Sequence, residues 1–188
     1  GQRVLDVCAA PGGKSFGAAF LMGDRGEIVS CDLHERKLIR IQEGAERLGL
    51  HCIQTQAADG RAFRPEWEAV FDTVLVDAPC SGLGIIRKKP DVRYKRSDDL
   101  FAMPVMQQAI LANASRYVKP GGVLVYSTCT VLPEENEQVT DAFQAEHPEF
   151  VQEGFALPEP VGLTDGTLTL WPFRHDTDGF YICRMRRT

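Results

Sequence analysis

Residues 3–22 read RVLDVCAAPGGKSFGAAFLM. A short β-rich run (3–8) leads into a Gly-rich loop (9–14), and a helical pattern follows from Ser15 to Met22. Strand, tight turn and helix make one unit of a parallel α/β sheet, and the rest of the chain repeats the alternation. Residues 27–31 read as a strand ending at Asp32. Residues 35–48 read as a helix with Leu38, Ile41, Ala45 and Leu48 on one face, stopped by Gly49. Residues 53–57 form a third strand, with Asp59-Gly60 after it. Residues 73–76 are almost entirely apolar, as a central parallel strand should be. A long loop over 77–99 is expected, then a helix over 104–118 ending at Lys119-Pro120-Gly121-Gly122. A strand at 123–126, an acidic helix at 134–147, a Pro/Gly-rich link and closing strands at 167–171 and 180–184 complete the series. The pattern predicts an α/β, Rossmann-like fold: a mostly parallel seven-stranded sheet covered on both faces, with a C-terminal antiparallel hairpin at one edge.

The 188 residues suit one domain. A hydrophobic fraction of 44% and a charged fraction of 25% are ordinary globular values and exclude a disordered tail. The net charge of −5 argues against a strongly basic nucleic-acid clamp. Charge is unevenly placed, however. Residues 120–173 hold nine acids and no Lys or Arg, which leaves +4 for the remainder. Within that remainder, Arg87, Lys88, Lys89, Arg93, Lys95 and Arg96 stand close together against the single acid Asp91. Six cysteines without a C-x-x-C pair and four scattered His give no zinc pattern, so no metal is expected. The longest apolar runs, about five residues, fall far below the ~20 that a membrane span needs, and no signal peptide is seen. A cytoplasmic, reduced, monomeric protein is expected. The chain starts at Gly1 and enters a strand at once, as an excised domain would.

Ligands of such sheets sit beyond the carboxyl ends of the strands. There lie the loop of residues 8–14, Asp32, Asp59, the segment 77–80 and the segment 127–129. The loop fits neither a Walker A motif, which needs Gly at the position of Cys8, nor G-x-G-x-x-G. It reads as a tight turn offering backbone amides at a helix N-terminus, suited to a carboxylate; a plain β–α turn is the simpler reading. Asp32 suits a ribose diol, and Asp59 suits an adenine amino group, although isolated Asp residues more often cap turns. Cys80, in DAPCSG, and Cys129, in STCT, leave adjacent strand ends and face one pocket. Either thiolate can be a nucleophile, and spacing does not say which attacks. Asp77 can give a proton or a hydrogen bond. The six basic residues beside that pocket can grip phosphates. Tyr94 among them can stack on a base, with anchoring of the loop the plainer expectation.

Together, the stretches VLDVCAAPGGKS, DLHERK, ADGRAF, DTVLVDAPCSGLGIIRKKPDVRY, GGVLVYSTCTVLPEENE and DTDGFYICRMRR closely resemble the Sun family of RNA cytosine-5 methyltransferases. The run GIIRKKPDVRY and the ending DTDGFYICRMRR look most like the bacterial branch acting on small-subunit (16S) ribosomal RNA. The resemblance implies a class I methyltransferase domain over residues 1–188, without the branch's N-terminal RNA-binding region. It implies S-adenosyl-L-methionine held by Cys8, Ala9, Ala10, Pro11, Gly12, Gly13, Lys14, Asp32, Asp59 and Asp77. It implies Cys129 as nucleophile at cytosine carbon 6, Cys80 as helper in product release, Lys14 near the catalytic pocket and RNA as the partner. In one departure, Phe16 and Gly17 stand where many relatives carry Thr and His. Two other readings compete. An exocyclic-amine methyltransferase would need an Asn/Asp-Pro-Pro-aromatic turn, but Cys80 follows Pro79. A silent RNA-binding module would not need both cysteines and all three acids.

Overall fold

A computed structural model of the chain describes residues 1–94 and 97–188, with no side chain described for 97–101. The elements in order are β1 (Gln2–Asp6), α1 (Gly13–Leu21), β2 (Gly26–Asp32), α2 (Glu35–Leu48), β3 (Ile53–Ala57), β4 (Phe71–Asp77), α3 (Ser97–Ser115), β5 (Val118–Thr128), α4 (Glu137–Glu146), β6 (Phe150–Gln152), β7 (Ala156–Leu157), β8 (Gly162–Leu163), β9 (Thr167–Leu170), α5 (Pro172–His175) and β10 (Phe180–Arg187). The main sheet runs β3-β2-β1-β4-β5-β10, and β6 and β9 share the far side of β10. The pairs among β1 to β5 are parallel. β10 runs antiparallel to β5, β6 and β9. Strands β7 and β8 form a separate two-stranded ribbon.

Alternation along the strands divides the core. Val4 and Ile28 point to one face, where they pack with Ala19 of α1 and Ala45 of α2. Leu5, Val29, Val74 and Val76 point to the other, against Ile110, Leu111 and Ala114 of α3 and Val139 and Phe143 of α4. Each fully buried Leu, Ile or Val contributes about 1.5–3 kcal/mol. Helix α2 has the predicted bounds, and Gly49 closes it at φ 65°. The departure at Phe16 has a structural reason. A β-carbon on Gly44 of α2 would stand 2.4 Å from Phe16 Cζ, so the ring fills the space a glycine leaves on the next helix.

Four predicted features change. The main sheet has eight strands rather than seven, because β6 forms in the stretch read as a link. The closing strands do pair, but β10 lies inside the sheet between β5 and the β6/β9 edge, so the hairpin is no simple edge addition. Helix α3 starts at Ser97, and Pro104 sits within it instead of opening it. Strand β5 starts at Val118 and runs through Gly121-Gly122, with a register shift opposite Phe71/Thr73.

Candidate active site

The carboxyl ends of β1, β2, β4 and β5 gather the chemistry-bearing residues. After β1 the chain turns, with Gly12 N–H donating to Ala9 O at 2.7 Å, and Gly12 caps α1 at φ 113°. That conformation favours glycine. The first turn of α1 presents Lys14, whose Nζ lies 2.6 Å from Asp77 Oδ2 at the end of β4. Ser127 Oγ of β5 donates to the other oxygen of Asp77 at 2.9 Å. Lys14 Nζ also sits 4.9 Å from the centroid of the Phe180 ring, at the start of β10.

Cys80 and Cys129 meet. Their sulfurs are 3.1 Å apart and share a hydrogen bond, and the Cys129 N–H donates to Cys80 Sγ at 3.3 Å. The bond from Cys80 lowers the Cys129 thiol; burial and Asp77 oppose this, and Lys14 assists. The same bond, with burial, raises Cys80. The pair therefore gives up its first proton readily and holds the second firmly, with the charge on Cys129. The remaining four cysteines, Cys8, Cys31, Cys52 and Cys183, are all pushed up, first by burial.

A cavity of about 370 Å³ opens beside this edge. Val7, Leu33, Pro79, Met106 and Ile110 give it apolar walls, and Asp32 and Asp59 stand at it. Asp32 Oδ1 accepts the His34 N–H at 2.9 Å, and Lys37 Nζ lies 3.3 Å away. Asp59 is gripped by Arg61, whose backbone N–H, Nε and Nη2 donate to it at 3.0, 2.9 and 2.7 Å. Those bonds hold Asp59 down to about 2. A second cavity of about 180 Å³ continues from Cys8 to Ala9, Pro11, Gly13, Lys14, Asp77 and Asp6. A larger one, about 600 Å³, lies at the opposite edge near Gln2, Asp72 and Lys119 and holds none of the candidate residues.

Sequence reasoning missed several participants. Asp6 is fully buried in β1. Its Oδ2 accepts from Ser15 Oγ at 2.7 Å, Ser15 Oγ in turn accepts from Ser30 Oγ, and Oδ1 has no partner among the described residues. Burial pushes its carboxyl up to about 6. An acid inside the apolar run VLDV was the available signal. Phe180 and Arg61 lay inside quoted motifs but carried no pattern of their own.

The basic segment divides. Lys88 Nζ lies 2.6 Å from Asp178, and the Arg87 guanidinium lies 3.7 Å from Asp176 and 4.0 Å from Asp178. These two cations tie the segment to the loop before β10. Lys89 and Arg93 are exposed. Tyr94 does not anchor the loop: it is 73% exposed, with the Arg93 guanidinium 5.0 Å over its ring. Lys95 and Arg96 lie outside the described residues. The backbone joins the same parts, since Gly84 N–H donates to Cys129 O at 3.0 Å and Gly179 N–H to Gly84 O at 2.8 Å. Among the described residues, no group of His, Cys, Asp and Glu could hold a metal ion, and no helix is long and apolar enough to cross a membrane.

A mostly parallel, doubly covered sheet with its acids, Gly-rich turn and cysteines on one carboxyl edge is the Rossmann-like architecture of S-adenosylmethionine-dependent methyltransferases. The chain matches the 16S rRNA methyltransferase RsmB/F family over residues 1–186 and belongs to it. It is 47% identical over 193 residues to the probable ribosomal RNA small subunit methyltransferase B of Bacillus subtilis, covering 99% of this chain and 43% of that protein. The corresponding Synechocystis protein is 39% identical, with 99% and 43% covered. The solved structure of NSun6 from Pyrococcus horikoshii with SFG superposes with a TM-score of 0.83 at 30% identity, over 99% of this chain and 48% of that one. The chain thus spans less than half the length of these relatives.

Proposed function

We propose that residues 1–188 are the catalytic domain of an RNA cytosine-5 methyltransferase. It transfers a methyl group from S-adenosylmethionine to carbon 5 of a cytosine in small-subunit ribosomal RNA. The paired sulfurs at 3.1 Å, beside the Lys14–Asp77 ion pair, carry this reading. The relatives' names point to the RNA.

The two cavities suit the methyl donor. The apolar walls take a flat heterocycle, and Asp32 takes a ribose diol. Asp59 keeps a free lone pair beside its three bonds to Arg61. The unpartnered, buried Asp6 Oδ1 at the second cavity suits a cationic ammonium. When bound, S-adenosylmethionine supplies an electrophilic methyl group on a sulfonium. The chain's own residues do the rest. Cytosine carbon 5 is a poor nucleophile, so the Cys129 thiolate first adds to carbon 6 and makes carbon 5 enamine-like. As the thiolate adds, ring nitrogen 3 takes up a proton from solvent and the Asp77 carboxylate, held in place by Lys14, accepts a hydrogen bond from that N–H, so that no net negative charge builds on the ring; the proton leaves again at elimination. Once Cys129 is bound to carbon 6 as a thioether, the partner that kept the proton on Cys80 is gone; Cys80 releases that proton to solvent and, after carbon 5 has taken the methyl group, takes the carbon-5 proton as a thiolate. The carbon 6–sulfur bond then breaks and Cys129 leaves as thiolate. The base must be unstacked, because carbon 6 is otherwise out of reach. Lys89, Arg93, Lys95 and Arg96 are assigned to phosphates, with Arg87 and Lys88 fixing the segment that presents them.

The test uses the full-length polypeptide carrying these residues, with RNA and S-adenosylmethionine. Cys80→Ala is expected to accumulate an RNA adduct that survives denaturant, and Cys129→Ala to form none. An adduct in Cys129→Ala instead would reverse the two roles. Methylation at an exocyclic amine, read by nucleoside mass spectrometry, would overturn the reaction class.

A further inference from the structure

Both cysteine loops are held by two consecutive residues that the chemistry does not use. Glu135 is 1% exposed, and its Oε2 accepts the Ser81 N–H and Gln107 Nε2–H, each at 2.8 Å. Gln107 Nε2 also donates to Pro79 O at 2.9 Å. Both neighbours of Cys80 are thereby tied to Glu135. Asn136, fully buried, accepts from Thr128 Oγ1 at 2.6 Å and donates to Thr130 O at 3.2 Å. Both neighbours of Cys129 are thereby tied to Asn136. Ser81 Oγ donates to Thr130 Oγ1 at 2.8 Å and closes the ring. The dipeptide itself is anchored by Tyr126 OH, which donates to Glu135 O at 2.7 Å.

An apolar core would hold these loops at lower free-energy cost. Glu135 Oε1 and Gln107 Oε1 are buried without partners among the described residues, and a buried carboxylate is costly even when bonded. Clusters that break the packing rules in this way mark functional sites. We propose that Glu135 and Asn136 are paired positioning residues: one sets the Cys80 loop, the other the Cys129 loop, and together they fix the distance between the two sulfurs. This rests on the methyltransferase reading for its catalytic consequence, but the spacing itself is testable without RNA.

The first test measures closure of a Cys80–Cys129 disulfide in the full-length protein without RNA, on addition of diamide. The two thiols lose two protons and two electrons, and the azo group of diamide is reduced to the hydrazine. The closure rate reports how the sulfurs are held. Glu135→Gln is expected to slow it at least tenfold, per folded molecule counted by circular dichroism. Gln107→Met is expected to do the same and serves if Glu135→Gln folds poorly. Closure at the parent rate in either folded variant overturns the proposal. The second test uses RNA and S-adenosylmethionine. Relative to the parent, Glu135→Gln is expected to raise the ratio of covalent adduct to released product about tenfold, by hampering release. Asn136→Asp is expected to lower adduct and product together, by hampering attack, with the ratio at the parent value. The same common fall in Glu135→Gln, with no rise in the ratio, would mean that Glu135 has a structural role only. A normal diamide result with no adduct even in Cys80→Ala would defeat the functional reading and leave the positioning intact.

Discussion

At the scale of single residues, Asp6 and Lys14 make the sharpest claims. Burial holds the Asp6 carboxyl protonated up to about pH 6, whereas its ordinary value is 3.8. Below pH 4 both the folded and unfolded chains are protonated there. Between pH 4 and 6 the unfolded chain loses its proton first, so this group's contribution to stability falls as pH rises and then levels off. The difference amounts to roughly 3 kcal/mol. Asp6→Asn, which cannot ionise, is therefore expected to gain up to that amount over the parent between pH 4 and pH 7 in urea unfolding. An unchanged difference across that range would count against it. Lys14 bears on Cys129 through its charge. Lys14→Met is expected to raise the pH midpoint of Cys129 alkylation by iodoacetamide by about 1 pH unit, because an opposite charge is removed and Asp77 is left uncompensated. Much of this site was legible from sequence, since Cys80, Cys129, Asp77, Asp32 and Lys14 follow strand ends whose position the α/β pattern predicts. Gln107 and Glu135 were not read, because their hydrogen bonds join segments 28 and 54 residues apart; Asp6 and Asn136 bond within ten residues, but only the fold turns those side chains inward.

Among elements, the junction of three loops is the tightest contact. A β-carbon on Gly84 would lie 2.2 Å from Gly179 O and 2.8 Å from Cys129 O, all of it backbone. Gly84→Ala is expected to destabilise the domain by about 1–3 kcal/mol in urea unfolding and to disturb the Cys129 loop. Gly17→Ala, in α1 with nothing within 4 Å, is the control and is expected to stabilise by about 0.5–1 kcal/mol. Helix α2 was readable to the residue because its apolar stripe and closing glycine are local signals. Strand β6 was not, since three residues give no alternation and its partner β10 lies some thirty residues on. The start of α3 was displaced for a related reason: Pro104 looks like a helix opener, yet the helix extends back to Ser97.

For the whole molecule, the net charge of −5 conceals a division of labour. Arg87 and Lys88 are neutralised by Asp176 and Asp178, so they hold the segment, while Lys89 and Arg93 stay open to solvent. Replacing Lys89 and Arg93 together by Ala is expected to weaken RNA binding and reduce the slope of log affinity against log salt by about 1.4, the value for two phosphate contacts on single-stranded RNA. S-adenosylmethionine affinity should stay at the parent value; loss of both would assign the pair a structural role. The place of β10 has a consequence for biosynthesis. The eighth strand of the main sheet to leave the ribosome is the one that must slot in between β5 and the β6/β9 edge. Until residue 187 has emerged, β5 stands as an unpaired edge, open to chance partners in a crowded cell. Phe180 rides in on that same strand to meet Lys14. Among the strands of the main sheet, the one that brings a ring to Lys14 is therefore the last to be made.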